Sequence, residues 1–165
     1  MIIIGIGTNL AASGCASPLE TGLAALDALA APHLHPVACS PWYESAPVPE
    51  SDQPWFENAV VFIDTEREPE FLLDWLQTVE ARFGRERRER NAARTLDLDI
   101  IDYDGLVLDT PRLTLPHPRM HERRFVLAPL CDLAPGWRHP RLGLTATALL
   151  ARLPPGQPVR RAEMP

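Results

Sequence analysis

Apolar and polar positions along this chain follow two periods. Residues 2–7, IIIGIG, form a short β-rich run closed by glycine, which predicts a buried strand. FENAVVFID, residues 56–64, alternates with period two, so Phe56, Asn58, Val60 and Phe62 share one face and Ala59, Val61 and Ile63 the other. TLDLDIIDY, residues 95–103, predicts another strand, with Leu96, Leu98 and Ile100 opposed to Asp97, Asp99 and Ile101. VACSPWYESAPV, residues 37–48, is strand-like but interrupted by proline, as at a sheet edge or an irregular strand.

Two stretches have helical periodicity instead. In ASPLETGLAALDALAA, Ser17 and Glu20 have capping-box spacing and Pro18 suits the first turn. Leu19, Leu23, Leu26 and Leu29 are the expected buried stripe. PEFLLDWLQTVEARFG opens at Pro69, turns Phe71, Leu72, Trp75, Leu76, Val79 and Phe83 inward, and can end at Gly84. The resulting order, βαββαβ, is that of a ferredoxin-like α+β sandwich. A C-terminal extension follows. It comprises a hairpin or an extended excursion in 104–115, a short helix in 121–133 and a poorly ordered tail from about 154 to 165. No internal repeat or long linker divides the chain, so 1–165 are expected to form a single domain.

Composition narrows the function classes. A net charge of -6 over 165 residues does not favour non-specific nucleic-acid binding. No apolar run reaches the length of a membrane span, and MIIIGIGTNL lacks the basic start of a secretory signal. Three cysteines without a CxxC pair suit free thiols in a reducing cytoplasm. All 16 basic residues are arginine, which excludes a Walker A loop with its lysine. GIGTNL lacks the third glycine of the dinucleotide pattern, and Thr8 and Asn9 are expected to shape the exit from the first strand.

Asp97 and Asp99 raise the chemical question, because they place two carboxylates on one strand face, roughly 7 Å apart along the chain. A solvent-facing sheet would account for them by itself. Two arginine clusters point elsewhere. Arg85, Arg87, Arg88, Arg90 and Arg94 immediately precede the pair, and PHPRMHERRF adds His117, Arg119, Arg123 and Arg124. Two carboxylates can hold magnesium through hard oxygen ligands, and guanidinium groups match phosphate oxygens. His117, set between two prolines, has two readings, a metal ligand or a phosphate hydrogen bond, and the nearby arginines favour the second.

Five motifs, GIGTNL, SPWYESAPV, DQPWFENAVV, RTLDLDI and LTLPHPRMHERRFVLAPL, occur in the order of one family. The chain resembles the 6-hydroxymethyl-7,8-dihydropterin pyrophosphokinases of folate biosynthesis. The resemblance implies a ferredoxin-like core and magnesium-dependent transfer of pyrophosphate from ATP to the pterin hydroxymethyl group, leaving AMP. It implies that Asp97 and Asp99 hold two magnesium ions. It assigns Asn58 to the pterin edge, Phe56 and Phe125 to the faces of the pterin ring, and Ser45 and Val48 to a segment whose backbone reads the pterin amide. On the nucleotide side it implies Gln77 and Glu80 beside ATP, Ile100, Arg112 and Thr114 around the adenosine, and His117 and Arg123 at phosphate. Arg85 and Arg94 match arginines of the family's mobile loop and complete the catalytic set with the two aspartates. A cytoplasmic monomer with small-molecule substrates, acting on neither nucleic acid nor membrane, is the corresponding expectation.

Asn91, Ala92 and Ala93 stand where the family commonly has a tryptophan and a Gly-Pro. That departure leaves a second reading, a homologue that binds pterin or ATP without turnover. A third, an RNA-binding ferredoxin-like module, has the arginines in its favour. The acidic balance and the missing RNP1 aromatics stand against it.

Overall fold

The computed structural model describes residues 1–84 and 95–164; the arginine-rich stretch 85–94, with Arg85 and Arg94, lies outside them. In chain order the elements are β1 (Ile2–Thr8), α1 (Pro18–Ala28), β2 (His35–Cys39), β3 (Tyr43–Ser45), β4 (Phe56–Asp64), α2 (Pro69–Arg82), β5 (Asp97–Tyr103), β6 (Leu108–Asp109), β7 (Thr114–Leu115), α3 (Arg124–Leu133), α4 (Ala146–Arg152) and β8 (Val159–Arg161). The main sheet has the order β5-β1-β4-β3-β8, with β2 also pairing with β4. Every pairing in it is antiparallel. The proline-interrupted stretch is thus two short strands, β2 and β3, laid end to end along β4.

Both predicted helix signals act as expected. The Ser17 hydroxyl accepts from the Glu20 N–H, and the Glu20 carboxylate accepts from the Ala16 N–H. Gly84 leaves α2 with φ of 77°, the left-handed conformation that favours glycine. The buried stripes differ from expectation. The most buried α1 positions are Thr21, Gly22 and Ala25, while Leu19, Leu23 and Leu26 are half-buried at the margin. The reason is Trp42, whose indole lies so close to Gly22 that an added Cβ would sit 2.4 Å from a ring carbon. On α2, Phe71 points outward and lies beneath the Arg67 guanidinium instead of in the core.

Helices α1 and α2 cover one face of the sheet. Their core joins Ala25, Leu29, Leu72, Leu76 and Val79 to Ile4, Ile6, Val61, Leu98 and Ile100. Helices α3 and α4 cover part of the other face, where Val126, Leu127, Leu130, Ala146 and Leu149 meet Ile3, Val60 and Ile101. Register between β1 and β5 shifts after Ile4↔Ile100, so Ile101 is an extra residue before Ile3↔Asp102. The bulge turns Asp102 toward α3 and α4, where its carboxylate accepts from the Trp137 indole at 2.8 Å.

The C-terminal stretch corrects the expectation of a disordered tail. Residues 159–161 form β8 on β3, with Ser45↔Val159, Glu44↔Arg160 and Tyr43↔Arg161. Ion pairs from Arg160 to Glu44 and from Arg161 to Asp132 hold it in place. Composition gave no sign of this because VRR has no alternation; the open edge of β3 supplies the pairing partner.

Candidate active site

Period-two alternation places Ile3, Gly5 and Gly7 of β1 on the face shared with α3, and there the glycines clear space. Gly7 lies opposite Asn58 on β4 and Asp97 on β5; Gly5 lies opposite Val60 and Asp99. A Cβ on Gly7 would contact the Asn58 amide oxygen at 3.6 Å and the Asp97 Cβ at 4.0 Å. The row Asp97–Gly7–Asn58 therefore has an empty centre, with its polar ends roughly 10 Å apart across two strand spacings. Helix α3 starts too late to cover this half of the face. What results is a cavity of about 670 Å³.

One end of the cavity carries Ser45, Val48, Phe56, Asn58 and Phe125. Asn58 is 4% exposed and donates through Nδ2 to the Ser45 hydroxyl at 2.8 Å, and also toward the Tyr43 and Phe56 carbonyls. Those bonds fix the amide so that its oxygen faces the glycine floor. At the rim, Asn9 holds Gln53 and the Pro54 carbonyl, each at 3.2 Å, while Thr8 donates to the Thr95 carbonyl at 2.5 Å. Thr8 and Asn9 thus act as sequence reading expected, tying the exit of β1 to the two segments that flank the cavity.

The other end carries Asp97, Asp99, His117, Arg119 and Arg123. Arg123 Nη1 lies 3.7 Å from the Asp99 carboxylate, and its guanidinium sits above the Phe125 ring, 5.5 Å from the centroid. His117 Nδ1 accepts from the Arg119 N–H at 3.1 Å, which puts the ring proton on Nε2, 3.6 Å from Asp99. Burial, with Arg123 and Arg119 nearby, pushes the His117 pKa down to about 4. The ring is neutral near pH 7 and serves as an N–H donor, so its contact with Asp99 is not an ion pair.

A model of the 7,8-dihydro-6-hydroxymethylpterin-pyrophosphokinase (HPPK) family matches residues 3–135. The chain belongs to this family. It is 46% identical to a Pseudomonas aeruginosa 2-amino-4-hydroxy-6-hydroxymethyldihydropteridine pyrophosphokinase over 93% of this chain and 91% of that protein. It is 43% identical to the Haemophilus influenzae protein of the same name, over 79% of each chain. The fold is similar to that of Plasmodium falciparum HPPK-DHPS, wild type with STZ-DHP. The TM-score is 0.69 at 13% identity, covering 92% of this chain and 42% of that one. The chain therefore spans less than half the length of that structure.

HPPK resemblance also pointed to residues that do not line the cavity. Gln77 and Glu80 lie on α2, Arg112 precedes β7 and Thr114 lies within it, and the Ile100 side chain is buried in the α1/α2 core. They lie around the outer edge of β5. Glu80 accepts from the Leu98 N–H at 2.8 Å, and Arg112 pairs with Asp74 at 2.5 Å and Glu70 at 3.5 Å. Because the Leu98 N–H points away from β1, the Ile100 backbone two residues on faces the same edge. Arg85 and Arg94 lie outside the described residues. Gly5, Gly7, Gln53, Glu122 and Gln157, for which the sequence motifs imply no site role, also line the cavity. For the glycines the signal was there: alternation with Ile4 and Ile6 puts both on the aspartate face.

Proposed function

We propose that this protein transfers the terminal pyrophosphate of ATP to the hydroxymethyl group of 6-hydroxymethyl-7,8-dihydropterin, releasing AMP. The observation that carries this is one cavity with two unlike ends. A flat-ring end is built from Asn58, Phe56 and Phe125, and a charged end from Asp97, Asp99, His117 and Arg123. A heterocycle bound at the first presents its substituent to the second.

Asp97 and Asp99 fit magnesium. Both are hard oxygen donors beside a wide cavity, and among the described residues no third His, Cys, Asp or Glu joins them in a ligand cluster. Magnesium needs few protein ligands because it retains waters and phosphate oxygens. Bound there, two ions would neutralise the triphosphate and the charge that develops between attacking and leaving oxygens. The protein's own groups position the reactants. Asn58, held by Ser45, offers its amide oxygen to the heterocycle; Phe56 and Phe125 offer ring faces. His117 donates through Nε2, and Arg123 and Arg119 supply fixed positive charge to phosphate oxygens. The hydroxymethyl oxygen then attacks the β-phosphorus and gives up its proton to water, the bridge to the α-phosphorus breaks, and AMP leaves with the bond electrons. The nucleotide is placed along the outer edge of β5. There the Ile100 backbone, Gln77, Glu80, Arg112 and Thr114 surround it; Arg85 and Arg94, outside the described residues, keep the role that the family resemblance implies for them, at the transferred group.

The direct test is AMP release from ATP at saturating magnesium, with and without the pterin alcohol. Pterin-dependent AMP is expected. ATP and pterin binding without AMP would favour the non-catalytic homologue, and salt-sensitive binding of single-stranded RNA without pterin binding would favour the RNA module.

A further inference from the structure

The C-terminal strap, residues 157–162, lies beyond the stretch matched by the HPPK family model, yet it reaches the pterin end of the cavity. Its strand β8 extends β3, whose last residue, Ser45, is the hydrogen-bond partner of Asn58. The chain after Ser45 leaves the sheet, so Ala46 has no strand partner on either side. The strap satisfies both of its backbone groups. The Ala46 N–H donates to the Pro158 carbonyl at 3.1 Å, and the Ala46 carbonyl accepts from Gln157 Nε2 at 2.5 Å. Two further bonds fix the strap itself, Ala162 N–H to the Trp42 carbonyl at 2.8 Å and Arg161 to Asp132 at 2.8 Å. Gln157 also lines the cavity, and its Oε1 is engaged by no described residue.

We infer that Gln157 is a substrate-positioning residue: by clamping the Ala46 carbonyl it sets the path of the 45–48 segment against the heterocycle. The inference rests on the pterin reading of this end of the cavity. A backbone segment that reads a heterocyclic amide must present its own N–H and C=O groups in a fixed direction. The loop carrying Val48, which is 61% exposed, has little packing of its own to fix that direction. A side-chain donor from the strap provides it, and a residue without a donor removes it while β8 stays paired.

The test uses Gln157→Met, which keeps the side-chain length, and Gln157→Ala, which does not. The expected result is a rise in the pterin KM of about fivefold in both variants, the loss of one hydrogen bond. The ATP KM, kcat and melting temperature should stay at the parent values. A parent-like pterin KM in Gln157→Met would overturn the inference, because bulk alone would then suffice. So would a parallel rise of both KM values with a lower melting temperature, which would make Gln157 a staple for β8 and nothing more. Failure of the pterin reading itself looks different: the unaltered protein would then show no pterin-dependent AMP release.

Discussion

The two faces of this sheet are built from alternate residues of the same strands, yet they do opposite work. Toward α1 and α2, Ile2, Ile4, Ile6, Val61, Ile63, Leu98 and Ile100 form one unbroken apolar surface. Toward α3, the pattern changes halfway along. Ile3, Val60 and Ile101 are covered by helix, whereas Gly5, Gly7, Asn58, Asp97 and Asp99 are left open. The chain thus gains a site without weakening its main core, because a one-residue step along any strand changes face. The glycines, the amide and the aspartate pair of the site all fall on one set of positions, and the main core falls on the other.

That separation predicts which property each substitution moves. Asp99→Ala should lower kcat by about a thousandfold or more while leaving the melting temperature near its parent value. Asp97→Ala should do the same. AMP release and thermal melting measured on one preparation check this, and a large loss of stability would mean that the pair supports the fold. Leu76→Ala, in the opposite core, should cost about 3 kcal/mol of stability in urea unfolding and leave both KM values unchanged. Gly22→Ala should behave similarly at about 2 kcal/mol, because the new methyl group meets the Trp42 ring.

Asn58→Ala sits on the boundary and sharpens the comparison. It removes the bond to Ser45 and the amide oxygen proposed to meet the heterocycle, so pterin affinity should fall about tenfold or more. ATP affinity should change little; equal losses for both ligands by calorimetry would mark Asn58 as purely structural.

The smallest effect concerns the one charged group of β4 on the closed face. Glu57 is pushed up to about 7, first by burial, then by the neighbouring Glu44, against a lowering by Arg160. Its folded pKa lies above the unfolded value, so the native state holds the proton more tightly. Stability therefore falls as pH rises from about 4.5 to about 7. Glu57→Gln should remove that slope and raise stability at pH 8 by about 1 kcal/mol, since solvent reaches part of the group. Urea unfolding at pH 5 and pH 8 gives the answer; identical slopes in parent and variant would contradict it.

How much of this was legible in the sequence follows the same division. The strands that cross the middle of the sheet declare themselves because each has a wholly apolar face: Ala59, Val61 and Ile63, or Leu96, Leu98 and Ile100. The aspartate pair and Asn58 were legible as polar residues inside those runs. Phe56, Ser45, Val48 and Phe125 were named through the family motifs, and the structure brings all four to one cavity. What could not be read depends on contacts distant in sequence. The small residues of α1 face inward because Trp42 fills the space above them. Asp102 turns to Trp137 because β5 bulges at Ile101. Strand β8 exists because β3 has an open edge, and α4 is buried through Ala146 and Leu149 against α3. Gln157 reaches the cavity only once that last strand is in place.

The open half of one sheet face is where we propose that pterin and metal-bound triphosphate meet. A crystal structure with the pterin alcohol, magnesium and an ATP analogue carrying a methylene bridge between its α- and β-phosphorus atoms tests it directly. The expected result is the pterin ring between Phe56 and Phe125 with an edge on Asn58, and magnesium on Asp97 and Asp99 with the triphosphate across the glycine floor. Ligands bound elsewhere, with this cavity holding only solvent, would contradict it.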